Sequence, residues 1–267
     1  MIKSDLYKSL AFIYNNTKEQ IGSIFYCLLY NKSYESMKTL RNKHYGKPAV
    51  LIGGGPSINK MDLNKYKDYI TIACNGFYLK MEDLEWSPTY YTVEDPLPAK
   101  DNSKEISSIQ STTKIIPYNL KRFIKKDKNT IYTNFLRSYV KTDDDNYPYF
   151  SFDCQDKIYW GGTVMYYNIQ LAAYMGCNPI YLIGVDLNYF IPSSAKVNGI
   201  IVTSTEEDNN HFDSRWFGPG KKWHLPETDR MQQCFTKAFF ELEKKNIDLF
   251  NAGIDSKLKV IPKVSLD

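Results

Sequence analysis

The sequence predicts an α/β fold: a mostly parallel sheet with helices on both faces over residues 47–267, preceded by an N-terminal helical arm over residues 1–46. Three observations carry this. Short, continuously apolar runs recur from Ala49 onward, helix-period segments separate them, and the first 46 residues repeat apolar positions at three- and four-residue spacing. Strands buried on both faces read as unbroken apolar runs, which is how a parallel sheet covered by helices is written.

In the arm, Leu6, Leu10, Ile13 and Tyr14 are followed by Ile24, Phe25, Leu28 and Leu29, with lysines between them, and the segment closes on the basic stretch "MKTLRNKHYGK". Such a helix packs on its own domain or on a second subunit; the sharper alternative is contact with a membrane surface. His44, in the basic end, reads as a solvated residue. Six strands are then expected, in "AVLIGG", "YITIACNG", "PTYYTVED", "TKIIPY", "NPIYLIGVD" and "DLFNAG". The clearest helices are "TVMYYNIQLAAYMG" (Thr163 to Gly176) and "LPETDRMQQCFTKAFFELEKKN" (Leu225 to Asn246). Residues 140–157 and 192–210 read as long loops, the usual place for a substrate lid.

Composition excludes several classes. A chain of 267 residues with 43% hydrophobic and 24% charged residues can bury one full α/β core. A net charge of +4 is too mild to argue for nucleic acid, yet it suits a phosphorylated ligand or an acidic surface. Five cysteines, odd in number and without a CxxC pair, argue against a disulfide framework or a zinc site and for a reducing cytoplasm. No signal peptide and no apolar run long enough to span a bilayer are visible, so a cytoplasmic location is expected.

Parallel sheets bind ligands beyond the carboxyl ends of their strands, so the residues just after each run are the ones to read for chemistry. The first such turn is Gly53, Gly54, Gly55, Pro56 and Ser57. Its backbone N–H groups could face an anion at a helix start. A dinucleotide fingerprint would need glycine where Ile58 stands and an acid where the next strand ends in Asn75, and no Gly-Lys-Ser/Thr P-loop is present. A nucleotide site of another kind, with Asn75 beside it, remains, as does a purely structural turn. Glu94 and Asp95 end the third run and could accept sugar or ribose hydroxyls. Gly161, Gly162 and Thr163 open a helix that could hold a phosphate. Gly184, Asp186 and Tyr189 close the fifth run.

Taken together, "LIGGGPSI", "ACNGFY" and "YMGCNPIYLIGVDLNY" resemble bacterial CMP-sialic acid-dependent sialyltransferases. They resemble more closely the wider group related to motility accessory factor glycosyltransferases and to hydroxymethylpterin diphosphokinase-like proteins. That group also accounts for "GGTVMYYNIQLAAYMG", "NHFDSRWFGPGKKWHLPETDRM" and "NAGIDSKLKVIPKV", so the resemblance covers about residues 46–267. It implies a Rossmann-like fold that uses a CMP-activated nonulosonic acid without a cofactor or divalent metal. It also implies a histidine that deprotonates the acceptor, tyrosines on the departing phosphate and asparagines on the nucleotide. His211 matches the base, Asn75 a nucleotide asparagine and Tyr189 a phosphate tyrosine. Gly54 and Asp95 stand where the sialyltransferases carry asparagines.

Histidine titrates near neutral pH, as a base for hydroxyl activation must. His211 and His224 bracket a Gly/Pro-bearing loop with Arg215, Lys221 and Lys222, and Arg230 lies on the next helix. His211 is the expected base; His224, Arg215 and Arg230 are expected phosphate or acceptor contacts. Asp143 to Asp145 form an acidic run, read as solvated rather than as a metal site. The expected partners are a nucleotide-sugar donor and a glycan acceptor, with no nucleic acid; a homo-oligomer and a peripheral contact with the inner face of the cytoplasmic membrane through the arm remain open. The rivals are an ATP- and magnesium-dependent pterin diphosphokinase-like enzyme, which would need Glu94, Asp95 and Asp186 as carboxylates, and a non-catalytic nucleotide-sugar-binding or scaffold subunit of a glycan assembly complex.

Overall fold

The computed structural model describes the backbone of residues 2–137 and 147–266, and within these the side chains of Tyr14 and of residues from Thr17 onward. The acidic run Asp143 to Asp145 lies outside the described residues. Helices α1 (Ile2–Leu29) and α2 (Asn31–Leu40) lead into β1 (Ala49–Ile52), β2 (Ile70–Cys74) and β3 (Tyr90–Thr92). Next come α3 (Pro96–Asp101), α4 (Ser103–Ser108), β4 (Thr113–Pro117), β5 (Thr130–Thr133), β6 (Phe135–Leu136) and β7 (Ile158–Tyr159). The chain continues through α5 (Val164–Tyr174), β8 (Ile180–Ile183), β9 (Lys196–Asn198), β10 (Ile201–Thr203), β11 (Lys222–His224), α6 (Thr228–Glu243) and β12 (Leu249–Asn251).

Seven strands form one all-parallel sheet in the order β12-β8-β1-β2-β3-β4-β5. This is the Rossmann-like α/β architecture the sequence predicts, with all six expected strands present. Along β1, Ala49 and Leu51 point into one buried cluster, shared with α2, α5 and α6, while Val50 and Ile52 point into another with Ile58, Phe77 and Phe212. Alternation with both faces buried is what turned "AVLI" into an unbroken apolar run. Departures cluster in the connections. Between β1 and β2, and between β2 and β3, the chain runs in 3-10 turns rather than α-helices.

The expected loop over 192–210 contains a hairpin, β9 to β10, completed by β11 into a three-stranded antiparallel sheet. Its first strand is exposed at all three residues, so no core-facing alternation marks it in the sequence. Nor does residue 46 mark a packing boundary: Met37 and Leu40 of α2 lie in the main core, and Tyr26 of α1 donates its hydroxyl to the Tyr132 carbonyl at 2.8 Å. His44 is buried rather than solvated. Its Nε2 lies 2.8 Å from the Tyr90 hydroxyl, and burial lowers its pKa. Among the described residues no helix is long and apolar enough to cross a membrane.

Candidate functional site

The strand order reverses at β1: the chain goes from β1 outward through β2 to β5, then returns to place β8 on the other side. A parallel sheet opens a crevice at that point, beyond the carboxyl ends of the two diverging strands. The crevice is there. A narrow cleft of about 70 Å³, open to solvent, is lined by Gly53, Gly54, Gly55, Asn75, Thr163, Gly184, Asp186, Tyr189 and His211, among others. A wider open groove, lined from Lys60 to Tyr66 and from Ala252 to Leu266, contains residues of the closing motif "NAGIDSKLKVIPKV" but none of the candidate site residues.

The glycine turn is built differently from the expected anion cradle. Gly53 N–H donates to the Ile183 carbonyl and Gly55 N–H to that of Gly184, each at 2.8 Å. Ser57 spends its N–H and its hydroxyl on the Asp186 carboxylate, at 2.9 and 2.5 Å. The carboxylate of Asp186 thus occupies the helix-start position offered after Pro56, so only Gly54 keeps its N–H outside these bonds. The glycines are needed for close approach: a Cβ on Gly53 would lie 2.4 Å from the Gly184 carbonyl oxygen, and one on Gly55 would lie 2.5 Å from Asp186 Cγ. A Cβ on Gly54 would lie 2.9 Å from His211 Cδ2. The histidine ring is laid directly over Gly54.

His211 is held from three sides. Its Nδ1 donates to Asp208 Oδ2 at 2.8 Å; that carboxylate also accepts from the Asn210 and Phe217 N–H groups and is almost fully buried. The Phe217 ring meets the imidazole edge to face at 5.2 Å, and Phe212 N–H donates to the Gly54 carbonyl at 2.9 Å. A carboxylate on Nδ1 can only accept, so this tautomer keeps its lone pair on Nε2, at the cleft. Asp208 is a residue of the candidate site that sequence reading missed. Its signal was a carboxylate three residues before the histidine in "DNNH".

Asn75 sits at the end of β2 in the left-handed region, φ 53°, and its Oδ1 is buried without a partner. An unpaired buried amide oxygen on a cleft wall has the capacity to accept a ligand donor. Trp216, from the His211 loop, packs on Gly76, whose Cβ position lies 2.8 Å from the indole; the loop is thereby fastened beside Asn75. Thr163 caps α5, its hydroxyl accepting from Met165 N–H at 3.3 Å, and faces the cleft. Gly161 and Gly162 do not line the cleft: the first makes room for the Tyr166 ring, and the second takes φ 73°. The Tyr189 hydroxyl turns inward, 3.9 Å from Met231 Sδ, and burial of that end pushes it up to about 12 although over a third of the residue is exposed.

Glu94, Asp95 and His224 form a second group beyond β3, and Arg230 and Arg215 lie apart from the cleft. Glu94 is buried and pairs with Arg137, which also donates to its carbonyl; burial pushes the Glu94 carboxyl up to about 7 against the pull of the guanidinium. Arg137 was not singled out from the sequence, and its Nε–H is buried without a partner. Asp95 caps α3 through Leu97 N–H and accepts from His224 Nδ1 at 2.7 Å, which raises the histidine's pKa. Arg230 pairs with Glu227 and lies 4.8 Å over the Trp160 ring. Arg215 is given to Asp213 at 2.7 Å, is mostly exposed and does not line the cleft, contrary to its expected role. The three carboxylates that a strand-end magnesium site would need, Glu94, Asp95 and Asp186, are therefore already engaged with Arg137, His224 and Ser57.

An open parallel sheet with a polar cleft at its switch point and an oriented histidine in that cleft defines a Rossmann-like α/β protein. The family model described as 6-hydroxymethylpterin diphosphokinase MptE-like matches residues 24–191, more than half the chain, and the protein belongs to that MptE-like family. The match starts inside α1 and ends before the His211 loop. Comparison with curated proteins found no significant match. Among solved structures, a MAf glycosyltransferase from Magnetospirillum magneticum AMB-1 shares the fold, with a TM-score of 0.51 at 15% identity. The likeness covers 89% of this chain and 38% of that one, so this chain spans well under half the neighbour's length.

Proposed function

We propose that this protein is a cytoplasmic, metal-independent glycosyltransferase. It moves a sugar, by preference a CMP-activated nonulosonic acid, from its nucleotide to a bacterial cell-surface glycan, and it works with inversion. The observation that carries the reading is the His211–Asp208 pair set over Gly54 at the switch-point cleft. Nε2 of His211 takes the proton of an acceptor hydroxyl; the oxygen's electron pair forms the new bond at the anomeric carbon as the bond to the nucleotide phosphate breaks. Asp208 holds the tautomer and stabilises the imidazolium that results. Asn75 takes the nucleotide, and Thr163 at the α5 start faces the departing phosphate, which the Tyr189 hydroxyl reaches by turning from Met231 to the cleft. Support for a sugar transferase comes also from the fold shared with the MAf glycosyltransferase.

Calorimetric titration with CMP, UDP, GDP and ATP, each with and without magnesium, tests it. Metal-independent CMP binding that weakens in an Asn75→Ala variant is expected. The family name favours a second reading, an ATP- and magnesium-dependent diphosphokinase. Glu94, Asp95 and Asp186 would then have to leave their present partners to hold the metal. A strict requirement for ATP with magnesium would establish that reading, and no binding of any nucleotide would leave a non-catalytic scaffold subunit.

A further inference from the structure

Asn210 lines the cleft beside the candidate base and holds chain on two sides of it. Its backbone N–H donates to Asp208 Oδ1 at 2.8 Å, and the other oxygen of that carboxylate takes Nδ1 of His211. Its side chain reaches the segment that leaves β8. Oδ1 accepts from Phe190 N–H at 2.6 Å, and Nδ2 donates to the Phe190 carbonyl at 2.7 Å. One side-chain amide thus satisfies both backbone groups of a single residue, as an adjoining antiparallel strand would.

Burial does little to hold that segment. Residues 185–192 contain no helix or strand, and Tyr189, Phe190 and Ile191 are 36%, 60% and 40% exposed. On the near side of Tyr189, Lys257 Nζ donates to Asn188 Oδ1 at 2.6 Å, an exposed contact. The Tyr189 hydroxyl meets only a thioether, Met231 Sδ at 3.9 Å, which is a weak acceptor. The backbone next to Tyr189 is therefore clasped by two bonds while its hydroxyl is held lightly. A ring that swings from Met231 to the cleft needs such a fixed pivot, and this pivot is tied to the residue that also supports the His211 carboxylate. We infer that Asn210 is a positioning residue that sets where Tyr189 stands relative to His211. Its effect on turnover rests on the glycosyl-transfer reading; the placement of Tyr189 does not.

The test pairs kinetics with carbon NMR of the full chain carrying ring-labelled tyrosine, the Tyr189 signal being assigned with Tyr189→Phe. Asn210→Ala should move that signal towards the position of free tyrosine. It should lower kcat for transfer from a CMP-nonulosonate by about 10- to 100-fold, the size of a small misplacement at a reacting centre, with CMP affinity in calorimetry changed less than about threefold. Asn210→Asp has the same shape and keeps only the acceptor; it should shift both quantities in the same direction, and it decides the matter should the Ala chain not fold. An unchanged Tyr189 signal overturns the inference. So does a loss of CMP affinity as large as the loss of kcat, which makes Asn210 a ligand contact. Equal effects from Asn209→Ala, at the exposed neighbouring residue, overturn it too, as a general loosening of the turn. A wild-type chain that transfers no sugar refutes the functional reading instead, and the Tyr189 signal then decides the inference alone.

Discussion

Two histidine–carboxylate pairs stand along the carboxyl edge of the sheet, nearly identical in length and opposite in design. His211 takes its carboxylate, Asp208, from three residues upstream in the same turn, and lies over Gly54 at the cleft. His224 takes Asp95 from 129 residues away, where that side chain also caps α3. Around the second pair, Lys221 donates to Asn102 at 2.6 Å and Lys222 N–H reaches Asp101, so β11 is stapled to α3 and α4's leading end. The first pair turns a ring nitrogen to the cleft; the second fastens the small antiparallel sheet to the main one. A short contact between imidazole and carboxylate does not assign a role. What else the carboxylate holds, and what the second ring nitrogen faces, does.

That contrast breaks if activity follows the wrong histidine. His211→Ala should lower kcat/KM for transfer from a CMP-nonulosonate by about 10²–10⁴-fold, checked by product formation, and should also lower the urea midpoint, because the buried Asp208 carboxylate loses a donor. Asp208→Asn should lower kcat by about 10²-fold or more while leaving CMP affinity intact, because the amide can present its N–H to Nδ1 and invert the tautomer. Asn75→Ala should weaken CMP binding by about 1–2 kcal/mol in calorimetry, the size of one lost hydrogen bond to a ligand.

His224→Ala sharpens the comparison on the stability side. The His224 pKa is raised in the folded protein by Asp95, so its contribution is fully present below the unfolded value near 6.5 and is lost as pH rises through the folded value. Wild-type stability in denaturant titrations should therefore show a decline above neutrality that the variant lacks, smaller than about 1 kcal/mol because a third of the ring is exposed. Arg215→Ala, which removes only an exposed pair, should change neither activity nor midpoint measurably.

The sheet was legible because its central strands are buried on both sides, and such burial leaves unbroken apolar runs such as "AVLI" and "IYLI". Strand β5 was not, since four residues following the polar stretch "KKDKN" carry no period long enough to read. The cleft residues Asn75, Tyr189 and His211 could be found because each follows a strand or matches a family motif. Arg137 could not: its place beside Glu94 exists only once β5 and β3 lie on the same edge of the sheet. His44 misled for the same reason, because its basic neighbours in sequence say nothing of Tyr90 beneath it.

The interlock between Gly53 and Gly184 bears on how substitution data for this protein should be interpreted. Each glycine occupies the space in which the other's Cβ would have to sit, with the Gly53 carbonyl oxygen only 2.7 Å from that position on Gly184. Both sites will reject every side chain, alanine included, whether or not the cleft is ever filled. Intolerance there reports how tightly two strand ends are threaded past each other. Only positions such as Asn75, where a side chain is replaced without crowding the chain, can report on what the cleft is for.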